Sequence, residues 1–135
     1  MIKIYVYIIL VIFSFSNCKD SACNMSDGKI ISIEKELENF SGIKVLDNIN
    51  LEWVKHNDYK TIINGDENLI DQIELTIKDE LLTIENKNTC TWLRDNLNQI
   101  NIKLYAPSPN LIILKGNGSV ISKDTITSNL RIENY

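Results

Sequence analysis

The residues best suited to covalent or metal chemistry in this sequence are one histidine, His56, and three cysteines, Cys18, Cys23 and Cys90. A structural zinc site takes four Cys or His ligands, so this set is too small once any cysteine serves another purpose. A catalytic histidine needs a nucleophile and an orienting partner within hydrogen-bond reach, and no serine motif accompanies His56. We therefore expect His56 to be a surface residue at a strand end, and we expect no metal and no other cofactor.

A cluster of acids, Asp66, Glu67 and Asp71, offers a second kind of chemistry, because calcium takes six to eight oxygen ligands. The spacing of these acids is not that of an EF-hand loop. A short helix explains them instead, with Asp66 at its N-cap accepting hydrogen bonds from the following backbone amides. We expect a helix of one or two turns near residues 66–72.

Trp92 and Arg94 are the strongest candidates for binding rather than catalysis. They lie in the long polar segment NKNTCTWLRDNLN, residues 86–98, and both residue types are enriched at binding hot spots. Long loops in compact domains are often functional. The alternative is that Trp92 and Leu93 fold back onto the strands as a plug.

The longest apolar run in the chain lies just before the first cysteine. Residues 4–15 read IYVYIILVIFSF, which is too short to span about 30 Å of hydrocarbon but fits the apolar core of a signal peptide. Cys18 follows in FSNC, which resembles a bacterial lipoprotein box, with Asn17 departing from the usual small residue. The pattern predicts a signal peptide over residues 1–17 and a lipid on the thiol of Cys18. A buried N-terminal strand or helix is the alternative.

Lipid on Cys18 would hold the protein at a membrane, because two or three acyl chains bind firmly where one binds marginally. Residues 18–29 then form a polar tether without periodicity. The expected location is the bacterial outer membrane or cell surface. Cys23, within the tether, is a rival lipid site. Outside the cytoplasm Cys23 could instead form a disulfide with Cys90.

Composition indicates one globular domain: the chain has 135 residues, 44% of them hydrophobic and 24% charged. The net charge is −4, and the lysines and arginines are scattered among acids. Phosphate contacts supply most of the affinity of nucleic-acid binders, which therefore carry a basic stripe. We expect no nucleic-acid partner.

Four segments after residue 30 alternate apolar and polar residues, which is the pattern of half-buried β-strands. Strands must therefore position any site in this part of the chain. The apolar positions are Ile49, Leu51 and Trp53; Ile73, Leu75 and Ile77; Leu82 and Ile84; and Ile100, Ile102 and Leu104. Turn residues separate these segments at 64–66, 107–110 and 116–118. The pattern predicts an all-β domain over residues 30–135 with one short helix.

The C-terminal part of the chain contains a weak sequence repeat. NLIILKG begins at Asn110 and NLRIENY at Asn129, 19 residues later, with two short apolar segments between them. This is the rhythm of a β-solenoid, although coincidence in a chain rich in Ile, Leu and Asn is an open alternative. Leu130 and Ile132 predict a last inward-facing strand, and no cap follows it. We expect an open C-terminal edge that could self-associate.

Four blocks of the chain follow one another in a recognisable order: FSGIKVLDNINLEWVK, INGDENLIDQIELTIKDELLTIEN, INIKLYAPSPNLIILKGNGSV and NLRIEN. Through them residues 39–135 resemble the head GIN domain family, described as a putative autotransporter-adhesin head domain of secreted bacterial proteins. The resemblance implies a right-handed, parallel β-helix-like solenoid without established catalytic residues. Because the family domain usually continues for several more turns, it also implies a solenoid that is incomplete at its C-terminus.

Two classes of function follow from this sequence. The first is a non-enzymatic envelope lipoprotein whose β-solenoid binds a protein or glycan ligand or acts as a scaffold. The second is a small envelope enzyme acting on polysaccharide, which would need two converging carboxylates. Asp58, Glu74 and Glu85 are available for that role, but nothing in their spacing singles them out.

Overall fold

The computed structural model describes residues 28–88 and 100–135. Within these residues the chain forms ten strands and one short helix, which confirms the all-β prediction. In chain order they are β1 (Ile30–Glu36), β2 (Gly42–Leu46), β3 (Asn50–Lys55), β4 (Lys60–Asp66), α1 (Glu67–Ile70), β5 (Ile73–Lys78), β6 (Leu81–Asn86), β7 (Asn101–Ala106), β8 (Leu111–Lys115), β9 (Ser119–Ser122) and β10 (Arg131–Asn134). In that part of the chain, no helix has the length and apolarity needed to cross a membrane.

The strands form two five-stranded sheets. The first sheet has the order β1-β4-β7-β3-β9, and the second has the order β10-β8-β2-β6-β5. Strands β7, β3 and β9 run parallel in the first sheet, as do β10, β8, β2 and β6 in the second. Antiparallel strands complete one end of each sheet: β4 and β1 in the first, and β5 in the second.

The parallel strands stack as rungs, each consisting of one strand of the second sheet and the strand of the first sheet that follows it in the chain. The stacking order is β6–β7, then β2–β3, then β8–β9, and then β10 alone. The order in space therefore differs from the order in sequence. Both sheets are mixed and neither is closed, so a complete right-handed β-helix is not confirmed.

The core lies between the inward faces of the sheets, and it confirms the predicted alternation. Leu51, Ile63 and Ile102 form one fully buried column across three neighbouring strands of the first sheet. Each large aliphatic side chain buried in this way contributes about 1.5–3 kcal/mol. Trp53 is only 1% exposed, and its indole N–H donates to the carbonyl oxygen of Ala106 at 3.2 Å, so its polar atom keeps a partner.

The predicted turn at residues 64–66 is wrong, because these residues are the end of β4. They pair with Ile30, Ile31 and Ser32 of β1, and that ladder holds the backbone extended. The turns predicted at 107–110 and 116–118 do lie between strands. Gly116 adopts φ +120°, a conformation that residues with a Cβ rarely take.

Asp66 is the N-cap of α1, as predicted. Its buried carboxylate accepts from the amide of Asn68 at 2.8 Å and from the amide of Gly28 at 2.6 Å. The side chain of Glu67 also accepts from the amide of Lys29 at 3.2 Å. The last two residues of the predicted tether are therefore bound to the sheet structure.

Candidate binding surface

A groove lies on the outer face of the second sheet, where three parallel strands begin. Gly42 of β2 stands between Leu81 of β6 and Leu111 of β8 in the ladder. The groove has a volume of about 360 Å³, which is within the range of small ligand sites. Its lining residues are Ser41, Gly42, Lys78, Asp79, Glu80, Leu81, Thr83, Asn110 and Leu111.

Gly42 lies in the floor of the groove, where the absence of a side chain lets Leu81 pack directly over its backbone. A Cβ at this position would lie 2.9 Å from Cδ1 of Leu81 and 3.5 Å from Cβ of Leu111. The floor is therefore aliphatic, with Leu81 and Leu111 packed close to the backbone of Gly42.

The rim of the groove is polar and held by hydrogen bonds. The carbonyl oxygen of Glu80 accepts from the amides of Ser41 at 2.9 Å and Gly42 at 3.0 Å. Its side-chain carboxylate accepts from the hydroxyl of Ser41 at 3.0 Å, and the amide of Asn110 donates to the carbonyl of Ser41 at 2.9 Å. Asp79 and Glu80 both adopt positive φ, 50° and 59°, which makes a tight two-residue hairpin turn. An apolar floor beside fixed polar groups suits reversible binding.

The outer face of the first sheet is a charged surface. Glu52 lies between two lysines, each with Nζ at 3.4 Å from a carboxylate oxygen: Lys103 on the neighbouring strand and Lys123 in the loop after β9. Partial desolvation alone would raise the pKa of Glu52, but the hydrogen bonds and charges of both lysines together hold it below its usual value. Glu34 likewise raises the pKa of Lys60 through a hydrogen bond of 2.9 Å. Exposed pairs of this kind contribute little stability.

His56 lies directly after β3 with a side chain that is 43% exposed, as predicted for a strand-end surface residue. Its Nδ1 accepts from the amide of Asp58 at 3.1 Å, and its ring stands edge-on to that of Tyr105 at 5.9 Å. These contacts orient the ring, but they supply no nucleophile for it to activate.

The carboxylates available for glycoside hydrolysis do not converge on a cleft. Glu74 and Glu85 oppose each other across β5 and β6, and Nζ of Lys87 lies 3.8 Å and 2.7 Å from them. Asp58 lies in the turn between β3 and β4, which are strands of the other sheet. Across residues 28–88 and 100–135, no three His, Cys, Asp or Glu side chains are placed to hold a metal ion.

Five predicted site residues lie outside the described part of the chain: Cys18, Cys23, Cys90, Trp92 and Arg94. Lipid attachment, the disulfide and the binding loop therefore stay predictions.

The groove on the second sheet was not predicted from the sequence. The available signal was Gly42 at the start of an alternating strand, where a glycine often marks a close approach or a missing contact.

The fold agrees with the results of comparison with known proteins. A family model described as a putative auto-transporter adhesin, head GIN domain, matches residues 39–133. The chain belongs to this family, as the resemblance in its sequence predicted. A search of curated proteins found no match.

Solved structures share the fold. A putative adhesin from Bacteroides fragilis aligns over 78% of this chain and 49% of its own, with a TM-score of 0.69 and 24% identity. A putative adhesin from Parabacteroides merdae aligns over 81% and 47%, with a TM-score of 0.61 and 20% identity. A putative cell adhesion protein from Clostridium sporogenes aligns over 78% and 57%, with a TM-score of 0.54 and 19% identity. This chain thus spans about half the length of the solved structures it matches.

Proposed function

We propose that this protein is a non-enzymatic binding module of the bacterial cell envelope, and that its groove takes an apolar side chain from a protein ligand. The observation that carries the proposal is the aliphatic floor between Leu81 and Leu111, bordered by hydrogen-bonded polar groups of Ser41, Glu80 and Asn110. Membership of an adhesin-type family supports a surface role. The stacked parallel rungs support a solenoid that presents this surface outwards.

A protein ligand is favoured over a glycan because the floor is aliphatic. Leucine side chains offer an apolar slot for another apolar side chain, and the rim groups Asp79 and Asn110 can bond the ligand backbone or a basic neighbour. An enzyme acting on polysaccharide has less support, since Glu74 and Glu85 are bridged by Lys87 on an exposed sheet face.

Selection of phage-displayed random peptides on the full-length protein tests the groove. We expect the enriched peptides to share an apolar residue and to lose most of their binding when Leu111→Ser removes the floor. Ile113→Ser is the matched control, because Ile113 is also half-buried on the outer face of β8 but lies outside the groove. Equal binding to both variants would exclude the groove, and binding only to an array of glycans would replace the protein ligand with a sugar.

Membrane attachment is tested separately with a clickable fatty acid fed to cells that express the full chain. We expect label on the wild-type protein and none on Cys18→Ala, because the diacylglyceryl group is bonded to that thiol. Equal labelling of the two proteins would contradict the anchor. Label that persists in Cys18→Ala but is lost in Cys23→Ala would move the site to the rival cysteine.

A further inference from the structure

The groove on the second sheet is bordered by opposite charges on two sides. Asp79 and Glu80 form the turn on one side, and both line the groove. The carboxylate of Glu80 accepts from the hydroxyl of Ser41 at 3.0 Å. Asp79 is exposed and forms no ion pair with any described residue. The turn therefore presents negative charge to a ligand in the groove.

Two lysines stand on either side of β6 where it borders the groove. Lys78 of β5 lies opposite Leu81 of β6, and Lys44 of β2 lies opposite Thr83 of the same strand. Lys44 follows the buried Ile43 in alternation, so it shares the outer face with Thr83. Neighbouring strands are about 4.8 Å apart. Both lysines can therefore reach a negative group that lies over Thr83.

Neither of these two lysines is neutralised within the described part of the chain. Lysines elsewhere on the surface of the sheets pair with carboxylates: Lys60, Lys87 and Lys103. Lys44 and Lys78 form no ion pair with a described carboxylate. Charges on two binding surfaces are arranged to complement each other, which gives specificity. The side of the groove over β6 therefore suits an acidic group of the ligand.

The acidic turn, the aliphatic floor and the lysines follow one another at regular steps along the chain. Asp79 lies two residues before Leu81, and Thr83 lies two residues after it. Two residues of a strand span about 6.6 Å. An extended peptide has the same repeat, because its alternate side chains point to one face. Three alternate side chains of one peptide can therefore face the turn, the floor and the lysines in order.

We propose that the groove selects an extended peptide segment in which a basic, an apolar and an acidic residue alternate, with one residue between each. The basic residue lies over Asp79, and the apolar residue lies between Leu81 and Leu111. The acidic residue lies over Thr83, within reach of the two lysines. A segment with two charges of the same sign places one of them against a like charge, which costs affinity. This inference rests on the proposed function, since it specifies the ligand of the same groove.

Phage-displayed random peptides selected on the full-length protein test this charge order. We expect the enriched peptides to carry an acid two positions to one side of the apolar residue and a base two positions to the other side. Lys44→Glu and Asp79→Lys should each weaken their binding by about twofold to tenfold, because each replaces an attraction with a repulsion. Lys78→Glu repeats the test at an exposed position, so the result does not depend on how well half-buried Lys44 tolerates a change.

Lys35→Glu and Asp71→Lys are the matched controls, because they make the same changes of charge at exposed positions away from the groove. Melting curves show whether each variant is folded. Enriched peptides that need Leu111 but bind the groove variants as well as the controls would overturn the charge order and leave the proposed function standing. Peptides that bind Leu111→Ser as tightly as the wild type would contradict the groove, and the charge order with it.

Discussion

The amide of Gly118 donates a hydrogen bond of 3.1 Å to the carbonyl oxygen of Asp47. This hydrogen bond connects the turn between β8 and β9 to the turn between β2 and β3. The two residues that it joins are 71 positions apart in the chain. A Cβ at Gly118 would collide with the backbone carbonyl oxygen of Ile49. The rungs can stack at this corner because Gly118 has no side chain.

Gly118→Ala should therefore destabilise the protein by about 2–3 kcal/mol, in the upper part of the range for single substitutions. The colliding atom belongs to the backbone, so the clash cannot be relieved by a change of rotamer. Urea denaturation followed by circular dichroism measures the loss. Asn117→Ala, one residue earlier and exposed, is the control and should change stability by less than about 0.5 kcal/mol. Equal stability of the two variants would contradict the close stacking.

Asp66→Ala should cost about 1–3 kcal/mol, because it leaves two backbone amides, of Gly28 and Asn68, without their acceptor. The same denaturation measurement applies. Asp71→Ala is the control, since Asp71 is an exposed acid at the other end of α1. A loss equal to that of Asp71→Ala would show that the capping bonds contribute nothing.

Glu80→Gly should stabilise the protein by about 0.5–1 kcal/mol. Glu80 adopts φ 59° at the second position of the hairpin turn, where glycine is preferred because it has no Cβ to strain. The substitution also removes the acceptor of the Ser41 hydroxyl, and Ser41→Ala measures that loss on its own. Thermal unfolding should show a higher midpoint for Glu80→Gly than for the wild type. A lower midpoint would mean that the hydrogen bond outweighs the strain.

The pKa of the Glu52 carboxyl group should lie below the usual value for a glutamate, because hydrogen bonds and charges of Lys103 and Lys123 outweigh its partial desolvation. A carboxyl whose folded pKa is depressed contributes stability above its unfolded pKa, and that contribution is lost as the pH falls through the folded pKa. Stability should therefore fall as the pH drops below about 4.5, and Glu52→Gln should flatten this part of the profile. Carboxyl NMR titration should show the pKa rising when Lys103→Met and Lys123→Met are combined. An unchanged pKa would rule out the lysines as its cause.

The sequence alone determined the features that depend on local pattern. Alternation of apolar residues placed Leu51, Trp53 and Leu104 in the core, because side chains of a strand point to opposite faces in turn. Asp66 before a short apolar run predicted the helix cap, and the residues FSGIKV to NLRIEN identified the family. These signals need only a residue and its near neighbours in the chain.

Only the tertiary structure decided which strands are neighbours and which surfaces they leave open. The turn predicted at Asn64 became strand because β1 pairs along all of β4, a contact between segments far apart in the chain. Gly42 became the floor of a groove because β6 and β8, rather than its sequence neighbours, flank β2. Ile43 is fully buried on a strand that β6 and β8 flank on either side. Alternation specifies the face of a strand, whereas burial depends on which strands flank it, and those neighbours are set by long-range pairing.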